Sequence, residues 1–260
     1  MEAAPRSSTV SGASSGKGRV TRAQITRVFL DQTLQTGASF GVPEAESHHL
    51  LGVLRAKPGD TFEVVGEGGV VFLAELREGR EAQVVEELVS GGEESVRISL
   101  YQASPKGKRM DLVVEKAVEI GATKVVPLVT DRSVVRAGEG GKLDRWRRIA
   151  ESAARQSLRR AVPEVAAPTS FREALESAEG AVLLHNAPEL PSLESVVESP
   201  VSLFVGPEGG WSDGEVSFAK ENGVPSARIG SHRLRSETAG IVAVARAVAA
   251  LEIIETGRRT

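Results

Sequence analysis

Two glycine-bearing segments carry residue types suited to holding a small ligand. The first is GPEGGWSDGE at 206–215 and the second is IGSHRLRSETAG at 229–240. Each follows a short apolar run, at 201–205 and 227–229, and each precedes a helical pattern. Loops at strand ends are where α/β sheets bind ligands. Glycine permits positive φ and lets backbone amides and carbonyls approach closely, so the two loops can clasp one molecule between them. A side chain at Gly209 is expected to intrude on that ligand or to break a positive-φ turn. The first loop stops at a capping box, Ser212 with Glu215 three residues on, which starts a helix running to about Asn222 and closed by Gly223.

Composition bounds the chemistry. With 260 residues, 40% of them hydrophobic, the chain can bury a substantial core in one large or two modest domains. It has no cysteine, which excludes disulfides, thiolate metal sites and a Cys nucleophile. His48, His49, His185 and His232 lack zinc-ligand spacing, so no metal is expected. No apolar run reaches the roughly 18 residues of a membrane span. A net charge of -3 gives no global attraction to nucleic acid, so that role would need local basic patches.

The elements that must position the two loops follow from the periodicity. Residues 1–23, rich in Ser, Gly and Arg, are expected to be disordered, as a plain extension or as an organellar transit peptide. Within them GASSGKG at 12–18 fails as a phosphate loop on spacing and on the missing Ser or Thr after Lys17. Residues 24–94 read as a small antiparallel barrel, with strands at 26–30, 61–65, 70–76 and 82–88 and one amphipathic helix at 44–55. After the polar hinge at 91–94, residues 95–260 alternate strands (96–102, 124–130, 181–185, 201–205, 227–229) with helices (109–120, 142–159, 212–222, 237–255), the pattern of a parallel α/β sheet. The last helix is crowded with Ala239, Gly240, Ala243, Ala245, Ala247, Ala249 and Ala250, which suits burial within one subunit or against a second copy.

These segments, with HHLLGVLRAKPGD at 48–60, SPKGKRMDLVVEKAVEIGA at 104–122, PLVTDRSVV at 127–135 and ARQSLRRAVPEV at 154–165, resemble the RsmE family of the SPOUT class of S-adenosylmethionine-dependent RNA methyltransferases. The resemblance covers roughly residues 26–255. It implies an α/β fold: a C-terminal SPOUT-type domain tied in a trefoil knot, an N-terminal PUA-like barrel for RNA, and a homodimer. It also implies methylation of N3 of a uridine in small-subunit (16S-type) ribosomal RNA, either naked or in an assembled subunit, without metal and in the cytoplasm. Arg155 and Leu158 stand where the family usually has an acidic residue and a glycine, and Asp131 replaces the more common Glu.

By the same resemblance the cofactor contacts fall on Leu184, His185 and Asn186, on Gly206, Glu208 and Gly209, and on Ile229, Gly230, Leu234 and Arg235. Methyl transfer from a sulfonium needs an in-line nucleophile, and uridine N3 must first lose its proton, so positioning and charge stabilisation dominate. Arg235 is expected to stabilise charge on uridine O2 or O4, with a phosphate contact or an ion pair to Glu237 as the alternatives. Glu208 is expected to accept the N3 proton or to hold its loop by bonding backbone amides. His185 and His232 could relay a proton or serve only as hydrogen-bonding residues.

RNA contacts are expected from three basic patches: Lys106, Lys108 and Arg109; Arg132 and Arg136; and the helix at 142–160 with Arg155 and Arg159. A methyltransferase of another RNA would keep all these features. A non-catalytic ribosome-assembly factor would not need both glycine loops.

Overall fold

The computed structural model describes residues 27–91, 96–133 and 141–259. The N-terminal extension, the hinge residues 92–94 and Arg136 lie outside them.

Residues 27–91 build a curled five-stranded sheet. Its strands are β1 (Arg27–Phe29), β2 (Ser39–Gly41), β3 (Thr61–Val65), β4 (Val71–Leu76) and β5 (Glu81–Val89), in the order β1-β3-β4-β5-β2. The β3–β4–β5 meander is antiparallel, β2 pairs antiparallel with β5, and β1 adds parallel to β3. Alternating side chains of these strands, among them Val28, Phe40, Phe62, Val64, Phe72, Ala74 and Val84, bury one face. The helix expected at 44–55 is a short α1 (Glu44–Ser47) that runs into a π-wound turn, His48–Val53. The three-residue β2 is too short for periodicity to reveal.

The second sheet is wholly parallel. Chain order gives β6 (Ile98–Ala103), α2 (Arg109–Ile120), β7 (Lys124–Val129), α3 (Lys142–Gln156), β8 (Glu164–Val165), β9 (Thr169–Ser170), α4 (Phe171–Ser177), β10 (Ala181–Leu184), β11 (Val201–Val205), α5 (Asp213–Glu221), β12 (Ser226–Ala227) and α6 (Ser236–Arg259). The strand order is β12-β10-β11-β6-β7-β8, with β9 beside β7. Every residue of β11 is buried, as a strand covered on both faces must be. One apolar layer joins the sheet to α2, α3 and α6. The other covers the opposite face with α4 and α5, where Tyr101 stacks on Phe204 at 4.5 Å and Phe171 meets Trp211 at 5.0 Å.

Part of the small-residue row of α6 packs within the chain, while Ala249 is exposed. Ala243 and Ala247 are fully buried, and a Cβ on Gly240 would lie 2.2 Å from Oε1 of Gln102 on β6. Helix α4 escaped the periodicity but carries a capping box, Ser170 with Glu173, that the S-x-x-E spacing announces.

The two sheets touch through α3. Arg155 donates to Glu46 of α1 at 2.5 Å and to Glu151 at 2.6 Å, and Phe29 of β1 packs against the α/β core. Burial pushes the Glu46 carboxyl above its ordinary value despite Arg155. Leu158, just past α3, holds φ 56°, the left-handed conformation that a glycine adopts freely.

Candidate active site

Strands β12, β10 and β11 are adjacent and parallel, so their C-terminal ends deliver three loops to one place. The loops after Leu184, after Val205 and after Ala227 enclose a cavity of about 520 Å³. Its walls include Leu184, His185, Asn186, Gly206, Glu208, Ile229, Leu234 and Arg235, the residues on which the cofactor was expected, together with Val205, Pro207, Gly210, Trp211, His232, Arg233, Ser236 and Ala239. Gly209 and Gly230 belong to the same loops but do not line the cavity.

The positive φ of the first loop lies at Gly210 (72°), and a Cβ on Gly209 would approach Arg132 at 3.4 Å. The positive-φ part of the expectation for Gly209 is therefore corrected: the left-handed turn residue is Gly210, and a side chain at Gly209 would meet Arg132. Gly206 is the tight position, since its Cβ would come within 3.1 Å of the Trp211 ring.

Side chains that the sequence reading passed over hold the loops by their carbonyls. Trp211 Nε1 donates to Leu184 O at 2.9 Å, Ser236 Oγ to Gly206 O at 2.7 Å, and Arg233 to Glu208 O at 3.0 Å. Gln102 in turn donates to Ser236 Oγ at 2.8 Å. Arg246 of α6 donates to Ile229 O and pairs with Glu194 at 2.7 Å, tying the third loop to the segment after β10. Burial, the largest single influence, works to raise the Glu194 carboxyl, but the Arg246 hydrogen bond and charge, together with hydrogen bonds from its own backbone and from Ser192, hold the group below its ordinary value of 4.5. A loop whose carbonyls are fixed from behind presents its remaining backbone groups in a set geometry, which is the preorganisation a ligand site needs. Only Trp211, inside the first motif, could have been flagged from sequence, because an indole N–H buried in a glycine loop needs an acceptor.

Arg235 is exposed at the cavity and makes no ion pair among the described residues. The pair to Glu237 that sequence left open does not form: Glu237 faces Arg109, Nε to Oε1 at 3.6 Å. Arg109 also lies 3.6 Å from Glu208 Oε1, which accepts the Lys106 backbone N–H at 3.4 Å. Glu208 thus links the loop after β11 to the loop after β6. His185 and His232 are exposed at the rim, and His232 Nδ1 lies 3.1 Å from Ser231 Oγ.

The basic patches divide. Lys106 and Lys108 stand exposed in the loop before α2. Arg132 donates to Gly209 O at 3.1 Å and Trp211 O at 2.9 Å, backed by Asp131, whose Oδ2 accepts from Ser212 Oγ at 2.5 Å. Arg155 is engaged by Glu46 and Glu151. Arg159 is buried and donates to Val118 O and Ala122 O at 2.9 and 2.7 Å, a role that takes it away from phosphate. A linear charge run could not separate these fates, since it carries no record of which guanidinium turns inward.

The walls fit an adenosyl group, with apolar side chains for a base, loop backbone for its polar edge, and a volume within the 300–1,000 Å³ usual for cofactor sites. Among the described residues no cluster of His, Asp and Glu has the makings of a metal site, and no helix is long and apolar enough to cross a membrane.

Comparison with known proteins agrees with this geometry. Residues 92–248 match the RNA methyltransferase domain family. The ribosomal RNA small subunit methyltransferase E of Synechocystis is 35% identical over 226 residues, spanning 83% of this chain and 74% of that protein. The Bacillus subtilis protein of the same name is 27% identical, over 84% and 94%. The crystal structure of the Neisseria gonorrhoeae protein of that name, bound to S-adenosylmethionine, superposes with a TM-score of 0.78 at 30% identity, covering 88% of this chain and 98% of that one. A Legionella pneumophila methyltransferase in complex with the same cofactor gives 0.78 at 26% identity, covering 88% and 98%. With a family match over most of its α/β part and a relative this similar over most of its length, the chain belongs to the ribosomal RNA small subunit methyltransferase E family.

Proposed function

We infer that the chain methylates N3 of a uridine in small-subunit ribosomal RNA with S-adenosylmethionine as donor. The observation that carries this reading is Arg235, a guanidinium with no ion pair among the described residues, in the wall of a cavity whose loops are fixed from behind. When bound, the cofactor supplies an electrophilic methyl group on a sulfonium, so the chemistry calls for no metal and no covalent help. The work left to the protein is to bring N3 in line, accept its proton and stabilise the resulting charge on O2 and O4. Arg235 offers forked donors for that charge, and Glu208, His185 and His232 are acid–base groups in the cavity wall.

The reading includes the trefoil knot and a homodimer in the cytoplasm, or in an organelle if residues 1–23 are a transit peptide. Ile253, 73% exposed near the end of α6, offers apolar surface to a second copy. Sedimentation at micromolar concentration checks the dimer. The reaction is tested by mapping methylated nucleotides in ribosomal RNA from cells lacking the protein. Loss of one N3-methyluridine in the small subunit is expected, and an unchanged small-subunit RNA with a mark lost elsewhere would move the activity to another RNA.

A further inference from the structure

Gln102, near the end of β6, is completely buried. It continues the row of Ile98 and Leu100 that faces the apolar layer under α2, α3 and α6, where an amide has no obvious business. Its Nε2 donates to Ala103 O at 3.0 Å and to Ser236 Oγ at 2.8 Å, while its Oε1 is buried with no hydrogen-bond partner among the described residues. An unpaired buried oxygen is a standing cost that an apolar residue of the same shape would avoid. What the amide contributes therefore lies in its Nε2 bonds.

Those bonds have a direction. A backbone carbonyl only accepts, so Ala103 O fixes the amide with Nε2, and not Oε1, toward Ser236. The Ser236 hydroxyl receives that N–H, and its own single hydrogen is left for Gly206 O at 2.7 Å. Gly206 depends on this donor: Pro207 follows it and has no N–H, so the peptide between them can be fastened only through its carbonyl. On the far side of the amide stands α6, where a β-carbon on Gly240 would overlap Gln102 Oε1. Ser236 and Gly206 line the cavity, whereas Gln102 and Gly240 do not.

We propose that Gln102 is a positioning residue for the cofactor: through Ser236 it sets the Gly206 carbonyl, and the missing side chain of Gly240 leaves it room to do so. The proposal rests on the cavity being the S-adenosylmethionine site. The test is calorimetric titration of the full chain with S-adenosylmethionine, with steady-state kinetics beside it. Gln102→Met, which fills the same space without a donor, should weaken cofactor binding roughly 5- to 10-fold, and Ser236→Ala should do the same. The double variant should lose no more than either single one, where independent contacts would multiply to roughly 25- to 100-fold. Gly240→Ala, a change that raises helix propensity, should also weaken binding, because the added methyl drives the amide off Ser236. In Gln102→Met the KM for cofactor should rise by the same factor while kcat at saturating cofactor stays within about twofold of wild type. A residue that only supported the fold would lower the melting temperature and leave that KM alone. Wild-type cofactor affinity in Gln102→Met, or multiplied losses in the double variant, would overturn the proposal while leaving the cofactor site in place. Failure of the wild-type chain to bind S-adenosylmethionine would overturn both.

Discussion

The indole N–H of Trp211 donates to the backbone carbonyl of Leu184 at 2.9 Å, so the loop after β11 is fastened to the end of β10 through a cavity wall. The ring also fills the space beside Gly206. Trp211→Phe keeps most of the packing but leaves a buried carbonyl without its donor, a loss of about 1–3 kcal/mol. Because that loss loosens two of the three cofactor loops, S-adenosylmethionine should bind about tenfold more weakly, the equivalent of 1.4 kcal/mol. Calorimetric titration checks this, and unchanged affinity would mean that the loops keep their places without the bond.

Leu158 carries its left-handed backbone with a side chain that is 38% exposed, so only part of a leucine's burial is lost on removing it. Leu158→Gly should stabilise the protein by about 0.5–1 kcal/mol after allowing for the extra freedom of glycine in the unfolded chain. A thermal melt should show a rise of roughly 2–3 °C. Leu158→Ala, which keeps the β-carbon, should give no rise.

What was legible in the sequence was what has a period or a local chemical signature. The 3.6-residue apolar pattern gave α2 its bounds, the apolar run gave β11 its bounds, and the Ser212–Glu215 box gave α5 its start. Short elements such as β2 and β8 complete no period, and the π-wound turn looks helical to any pattern that counts only apolar spacing. The glycine loops announced the site, but the side chains that fix them come from β6, the turn after β7 and α6, far along the chain. Gln102 pressing on Gly240 is of this kind: each residue is unremarkable alone, and only the packing of α6 on β6 makes them partners.

Glu194 and Arg246 give the third loop a pH dependence. The folded-state carboxyl lies below its ordinary value of 4.5, so the pair stabilises the fold above that value and the contribution is lost as pH falls through the depressed one. Cofactor affinity should hold from neutral pH down through the ordinary carboxylate range and drop only in stronger acid, as Arg246 loses its partner and Ile229 O its fixed donor. Glu194→Gln should weaken binding at pH 7 and show a smaller further loss in acid. Glu46 acts in the opposite sense: its carboxyl is raised by burial, so its charged form opposes folding at neutral pH, and acidification through the raised value removes that penalty. Binding by Glu194→Gln equal to wild type at pH 7 would separate the pair from the cofactor site.

Arg235 divides catalysis from binding. Its side chain stands at the cavity, and Glu237, the nearest acid in sequence, is taken by Arg109. A guanidinium that meets charge appearing on the uridine only in the transition state affects kcat and kcat/KM together. Arg235→Ala should therefore lower both by on the order of 100-fold or more, with cofactor affinity nearly unchanged. Lysine should restore little, because a point charge cannot reproduce the fork. A phosphate contact predicts another pattern: KM for RNA rises, kcat at saturating RNA survives, and lysine substitutes well. Steady-state kinetics of both variants on small-subunit particles distinguishes them, and a kcat for Arg235→Ala within about threefold of wild type would remove Arg235 from catalysis, given the size of effect that loss of a preorganised donor produces.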